Sequence, residues 1–196
     1  MSETLCGSSH HITLAVMAAG KASRFGGNKQ MADLCGKPLI AHSIASAVGS
    51  CANEVIVVSR EDLPFSTGRA EVIHCEGLLS DSIRKAVEWS RGRSCALLIH
   101  LGDQPFVSSA MLDRLISTHS ASPMEMACFV RESRPVNPAI FPSPLFGSLY
   151  DLRGDRGAQQ LLAEKAVMLL PESEMDLDDI DTQEDLEEAR RRLCGR

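Results

Sequence analysis

Apolar residues fall into short unbroken runs and into spaced sets, and the two kinds alternate along the chain. ITLAVM (12–17), EVIVVS (54–59), AEVIHC (70–75), CALLIHL (95–101) and MACFV (126–130) are runs of the first kind. They are too short for core helices, and they lack the polar alternation of a half-exposed strand. They read as strands, the first and CALLIHL buried on both faces as in a parallel sheet. Between them the period changes. GKPLIAHSIASAVGS (36–50) predicts a helix, with Pro38 near its first turn and Gly49 near its end. LSDSIRKAVEWSR (79–91) places Ile83, Ala86 and Val87 at helical spacing. SSAMLDRLISTHS (108–120) opens on N-cap serines and gathers Met111, Leu112, Leu115 and Ile116 on one face. A helix is predicted over 154–165 and a short strand at AVMLLP (166–171). TQEDLEEARRRL (182–193) reads as a capped helix, with Thr182 at the N-cap and Asp185 at N3. ESRPVNPAIFPSPLFG (132–147) is rich in proline and carries no assignable period. Strand and helix in alternation imply an α/β fold of three layers, α/β/α, around a mainly parallel sheet. Residues 12–196 are expected to form one domain, and the polar residues 1–11 a disordered N-terminal tail. There is no internal repeat, linker or low-complexity tract.

Length and charge narrow this further. A chain of 196 residues fits about one domain. The formal net charge of −6 argues against a general nucleic-acid binder. Most of the acid surplus lies in MDLDDIDTQEDLEE (175–188), whereas VMAAGKASRFGGNK (16–29) is cationic. The contrast points to one local anion site on an acidic protein. The 7 cysteines are scattered, odd in number and without a CxxC pair, so neither a disulfide framework nor a zinc cluster is expected. Reduced, mostly buried thiols in a cytosol are the simpler expectation. The first eleven residues lack the pattern of a signal peptide, and no apolar run nears the ~18 residues of a membrane span. A cytoplasmic protein that does not meet membrane is expected.

In a parallel α/β sheet, ligands bind beyond the carboxyl ends of the strands. Loops at those ends carry the candidate chemistry. After the first strand, Gly20, Lys21, Arg24, Gly26, Gly27 and Lys29 share one loop. Glycine-turn amides form an anion nest, and Arg24 and Lys29 add full charges. The other reading is an exposed basic turn. Neither G-x-x-x-x-G-K-[ST] nor G-x-G-x-x-G is present. After CALLIHL comes GDQP (102–105), where Asp103 either offers a carboxylate to a hard cation such as Mg²⁺ or caps the turn before Pro105. In DLDDIDTQEDL (176–186), Asp181 lies just ahead of the last helix, as a metal ligand or as one more solvated acid. In EGLLSDSIRKA (76–86), a glycine and two serines at a strand-to-helix turn suit a nucleobase edge or sugar, while Ser80 or Asp81 as a plain N-cap explains the same letters. The histidines show no ligand spacing, and H-E-x-x-H and G-x-S-x-G are absent. A zinc enzyme or a serine hydrolase therefore has no support. Trp89 and Tyr150 read as packing residues.

Taken together these segments resemble a known group. AAGKASRFGGNK resembles the A-A-G-x-S-x-R-[MF]-G-x-x-K signature of MobA-like nucleotidyltransferases, and GKPLI resembles the G-K-P-L that follows it. LGDQPFV is similar to that group's G-D-x-P. NPAIFP and LRGDRGAQQLL resemble stretches of the molybdenum cofactor cytidylyltransferase branch, and DIDTQEDL resembles its closing D-I-D-T-P-E-D-L. The matches run in order from about residue 12 to 193. Two positions depart from the pattern: Ala22 stands where the group has serine, with Ser23 displaced by one, and Val136 stands where a glycine is common.

The resemblance implies a Rossmann-like fold of the nucleotide-diphospho-sugar transferase type. It implies a nucleoside triphosphate, Mg²⁺, and transfer of a nucleoside monophosphate to a phosphate acceptor. AAG in place of AGG resembles the cytidylyl branch, which implies CTP rather than GTP and the pterin phosphate of the molybdenum cofactor as acceptor. By the same resemblance Ala18, Ala19, Gly20, Arg24, Lys29, Gly77 and Ser82 would bind the nucleotide. Arg24, Lys29 and Asp103 would be catalytic, and Asp103 and Asp181 would hold the metal. A molybdenum hydroxylase or its maturation chaperone would be the downstream partner. The rival expectations are an enzyme of the same fold that uses GTP or another phosphate acceptor, and a non-catalytic carrier of finished cofactor. A dehydrogenase is a third, weakened by the missing G-x-G-x-x-G.

Overall fold

The computed structural model describes residues 11–19, 25–154 and 158–195. The tail expected at 1–11 thus lies, but for residue 11, outside the described residues. In chain order the elements are β1 (Ile12–Met17), β2 (Asp33–Leu34), β3 (Lys37–Pro38), α1 (Leu39–Val48), β4 (Glu54–Ser59), β5 (Glu71–His74), α2 (Leu79–Ser90) and β6 (Ala96–Leu101). They continue with α3 (Ser109–Ala121), β7 (Ala127–Arg131), β8 (Arg134–Pro142), α4 (Phe146–Tyr150), α5 (Gln159–Lys165), β9 (Val167–Leu169) and α6 (Gln183–Cys194). A seven-stranded sheet has the order β5-β4-β1-β6-β8-β7-β9. Its neighbours are parallel except for β8, which runs antiparallel to both β6 and β7. The short β2–β3 pair is a separate antiparallel ribbon.

The unbroken apolar runs are the central strands, as burial on both faces requires. Every residue of β1 is buried. Leu14 sits level with Val55 on one side and Leu98 on the other. Alternate residues then serve opposite faces. Leu14, Val16, Leu98 and Ile140 pack under α1 and α3, against Ile40, Ile44, Met111 and Leu115. Ala15, Met17, Leu97, Ile99 and Phe141 pack against Ile83, Ala86 and Val87 of α2 and Phe146 and Leu149 of α4. This is the three-layer arrangement the pattern predicts. A third cluster, Phe25, Leu34, Leu39, Ile180, Leu186 and Ala189, lies beyond the sheet, where α6 crosses the β2–β3 ribbon.

The proline-rich segment resolves into β8, a short turn and α4. Its prolines obscure a strand because proline cannot donate to a ladder. Here β8 meets β6 only from Ala139 to Pro142. Against β7 the register jumps, from Cys128 opposite Ala139 to Phe129 opposite Val136. Asn137 and Pro138 occupy that irregularity, which is where a strand tolerates proline.

The cysteine expectation is corrected. Cys35 and Cys194 form a disulfide, with their Cα atoms 5.8 Å apart and a sequence separation of 159. Among the other described cysteines, Cys75 and Cys128 are buried, Cys95 is intermediate and Cys51 is exposed. The pairing arises because α6 lies across the ribbon: Arg190 donates through Nε and Nη2 to Asp33 O at 3.2 and 2.7 Å, which brings the end of the helix over Cys35. A disulfide typically stabilises a fold by about 2–4 kcal/mol. Alkylation of the unfolded, unreduced protein should therefore label two fewer thiols than alkylation after reduction. Cys194→Ser should lower the melting temperature by about 4–12 °C without reductant. Equal labelling before and after reduction would show that the two sulfurs are not joined.

Candidate functional site

Strands β5, β4, β1 and β6 are parallel, so their carboxyl ends share one edge. Gly102 shows how closely the loops leave it. Its N–H donates to Met17 O at 2.9 Å, and a Cβ built there would stand 3.1 Å from that oxygen. The turn after β6 is thus held against the end of β1, and Asp103 is delivered beside the loop that follows β1. From the far end of the chain, Ile180 N donates to Asp103 O at 2.9 Å, which brings the lead-in to α6 to the same place. Thr182 and Asp185 cap α6 reciprocally as predicted, and Asp185 Oδ2 also accepts from Asp181 N at 2.9 Å.

These contacts converge on Lys29. Its Nζ donates to Asp103 Oδ2 at 2.7 Å and to Asp181 Oδ1 at 2.9 Å. Lys29 is only 7 % exposed. Burial by itself would lower its pKa, but the charges and hydrogen bonds of Asp103 and Asp181 outweigh that and hold it above its ordinary value. The ammonium is therefore charged throughout the neutral range. Asp103 Oδ1 is buried with no hydrogen-bond partner among the described residues. Asp179 also faces this group. It is exposed at the surface, yet crowding by the surrounding protein, with the charges of Asp103 and Asp181, raises its carboxyl to about 7. Gln104, 2 % exposed, donates through Nε2 to Asn137 O at 3.2 Å and ties the Asp103 turn to β8. Among the described residues no group of three or more His, Cys, Asp or Glu side chains forms a ready metal cage.

Beside this cluster lies a cavity of about 300 Å³, lined by Ala18, residues 27–31 and residues 59–63. Lys29 forms part of its wall. Ala18 and Ala19 are buried at the end of β1; the Ala18 amide is engaged with Val58 O at 2.8 Å. Arg60 joins the neighbouring loops, with Nε donating to Ala19 O at 2.5 Å and Nη2 to Gly77 O at 2.7 Å. Gly77 has φ +137°, and a Cβ there would fall 2.3 Å from Asp81 Oδ2. Ser82 is 1 % exposed and lies beneath the 76–82 turn, its hydroxyl facing Leu78 O at 3.5 Å. Gly20 and Arg24 lie outside the described residues.

Of the residues singled out from sequence, Lys29, Asp103 and Asp181 meet directly. Ala18 shares the cavity with Lys29, and Ala19 and Gly77 are linked through Arg60. Sequence reasoning missed Arg60, Gln104 and Asp179. The signal for Arg60 was its place right after a buried strand, and that for Gln104 was an amide beside Asp103 in a tight turn. Asp179 carried no local signal among so many acids.

The model of the MobA-like NTP transferase domain matches residues 14–169. The chain is 29% identical to the purine catabolism protein PucB of Bacillus subtilis (strain 168) over 200 residues, 90% of this chain and 95% of PucB. It is 33% identical to the 2-C-methyl-D-erythritol 4-phosphate cytidylyltransferase of Dechloromonas aromatica (strain RCB) over 125 residues, 56% of this chain and 54% of that protein. In fold it is similar to a nucleotidyl transferase from Methanothermobacter thermautotroptrophicus, with a TM-score of 0.81 at 20% identity, over 94% of this chain and 98% of that one. A parallel sheet with this loop chemistry at its carboxyl edge, and a family match across most of its length, identify the chain as a member of the MobA-like nucleotidyltransferase family.

Proposed function

We propose that the protein moves CMP from CTP, with Mg²⁺, onto the phosphate of a pterin of the molybdenum cofactor type and releases pyrophosphate. The observation that carries this reading is the meeting of Lys29, Asp103 and Asp181 at the wall of a nucleotide-sized cavity. CTP is favoured by the AAG of residues 18–20 and by the cytidylyltransferases among the relatives. The pterin acceptor is favoured by the likeness of NPAIFP and LRGDRGAQQLL to the cofactor branch.

The donor set suits a hard cation. Asp103 has a buried oxygen without a partner among the described residues, and Asp103 and Asp181 already share one positive charge. Two carboxylates, with water and phosphate oxygens completing the shell, are what Mg²⁺ prefers. Bound there, it supplies charge neutralisation at the phosphate oxygens.

The residues of the chain position and neutralise. Lys29 uses two of its three N–H donors on the carboxylates, so the third is free in number for a phosphate oxygen. It would thereby join the acidic pair to the triphosphate. An acceptor phosphate oxygen attacks the α-phosphorus; the new P–O bond forms as the α–β bond breaks, and pyrophosphate leaves with the electron pair. No protein nucleophile takes part, and the contribution of the site is alignment and electrostatics. Arg24 would add charge toward pyrophosphate.

Asp103→Asn keeps shape and removes charge. It should leave the fold intact and lower pyrophosphate release by about 10²–10³-fold. Wild-type turnover of this variant at saturating Mg²⁺ would refute the metal assignment. Lys29→Met leaves two carboxylates facing each other without their cation, so it should raise the KM for CTP, lower kcat and lower the melting temperature; unchanged kinetics would remove Lys29 from the site. In a thermal-shift panel, CTP with Mg²⁺ should stabilise the native protein by about 2.7 kcal/mol at 100 times Kd. A shift with GTP alone would reassign the base.

A further inference from the structure

Past the end of its ladder, the sheet edge is continued by a side chain. The last main-chain bonds there run from Ala18 N to Val58 O and from Cys75 N to Ser59 O, both 2.8 Å. Arg60 comes next, just past the end of β4. Because β4 lies between β1 and β5, its guanidinium reaches a neighbour on each side: Ala19 O at 2.5 Å and Gly77 O at 2.7 Å. A guanidinium is a planar, rigid fork. Bound through Nε and Nη2, it fixes how far apart the two carbonyls stand and how they are turned.

The Gly77 loop is braced from its other side as well. Asp81 Oδ2 accepts from Leu78 N at 2.8 Å, and Arg84 Nη1 donates to Asp81 Oδ1 at 2.7 Å. The φ of +137° at Gly77, with the Asp81 carboxylate where a Cβ would stand, commits the turn to one shape. A preformed turn of that kind can act as the jaw of a cleft, and its distance from Ala19 is then set by Arg60. The same arginine lines the cavity that Lys29 walls.

Selection among nucleobases needs polar groups held to within about 0.5 Å. From this bracing we infer that Arg60 is a positioning residue that sets nucleobase selectivity, holding Ala19 at the end of β1 and the Gly77 loop at the separation a pyrimidine nucleotide requires. It takes no part in phosphate transfer. The inference rests on the proposed placement of the nucleotide at this edge. Loss of Arg60 frees both carbonyls and lets the loops part, so a cytosine loses its fit while the larger guanine loses less. The phosphate end is held independently, by Lys29, Asp103 and Asp181. A merely structural arginine would lower stability and leave the ratio of nucleotide affinities unchanged.

The test is calorimetric binding of CTP, GTP and inorganic tripolyphosphate, each with Mg²⁺, to wild type, Arg60→Met and Arg60→Lys, with a melting curve for each protein. Wild type should prefer CTP. Arg60→Met should lose at least about tenfold of that preference, the scale of one hydrogen bond. Arg60→Lys, which can keep one of the two bonds, should fall between. Tripolyphosphate affinity should be unchanged in both. If Arg60→Met does not fold, Arg60→Lys carries the comparison. A folded variant with the wild-type CTP-to-GTP ratio would overturn the role of Arg60 alone, as would a loss of tripolyphosphate affinity equal to the loss for CTP. Wild type that prefers GTP would overturn the pyrimidine fit together with the cytidylyl assignment. Wild type that binds neither nucleotide would overturn the placement of the site, and this inference with it.

Discussion

A single buried ammonium joins parts of this protein that lie far apart in sequence. Lys29 meets Asp103 across 74 residues and Asp181 across 152. Removing an ammonium from water costs several kcal/mol, and only good geometry with opposite charge offsets it. Here two carboxylates do so. The arrangement is therefore cooperative: the loop after β1, the turn after β6 and the lead-in to α6 must all be in place before the lysine is satisfied. This is why α6 belongs to the site. Its apolar residues Leu186 and Ala189 pack on Phe25, Leu34 and Leu39, Gln183 Nε2 donates to Phe25 O at 3.3 Å, and Cys194 is tied to Cys35. Each contact holds the helix whose N-terminus brings Asp181 to the lysine.

The sheet supplies the platform. Four parallel strands end together, so main-chain groups of adjacent loops meet without long excursions. Strand β8 breaks the pattern by running antiparallel beside β6, and its irregular stretch at Asn137 and Pro138 lies near the Asp103 turn. Gln104 connects the two, with its amide on Asn137 O. A buried side chain that spans the turn and the strand makes the position of one depend on the other. Val136, partly buried against the core beside this irregularity, gives the β8 side an apolar character.

What the sequence discloses follows from the range of the interactions. Burial on both faces is written locally, so ITLAVM, EVIVVS and CALLIHL were legible as strands. Helix caps are local too, and the Thr182–Asp185 reciprocity was legible for the same reason. Strand β8 was not, because its three prolines carry the sign of a non-strand and only the partner register shows where they are tolerated. The disulfide was hidden by its separation of 159 residues and by an odd cysteine count. In the site, a strand end followed by a lone aspartate pointed to Asp103, and a cation among glycines pointed to Lys29. That the two touch is a tertiary fact. Arg60 was invisible as chemistry because its partners are main-chain carbonyls, which no residue letter records.

The acidic run at 175–188 raises the question of how an acidic protein could accommodate the triphosphate proposed for it. The structure separates the run into unlike jobs. Asp176 accepts from Ser173 N, and Asp185 from Asp181 N and Thr182 N, so both act as caps. Asp178 pairs with Arg131 and Arg192. Glu187 and Glu188 pair along the helix with Arg190 and Arg191. Asp181 shares Lys29 with Asp103. Crowding by protein, with the charges of Asp103 and Asp181, pushes the Asp179 carboxyl up to about 7. Four of the eight acids in this run thus meet a cation within a few ångströms, and salt screens what remains beyond about 8–10 Å. The field at the cavity is set by the groups that line it. Net charge therefore describes the solubility of this chain, while the anion binding proposed for the cavity rests on a few local groups, with Lys29 at their centre.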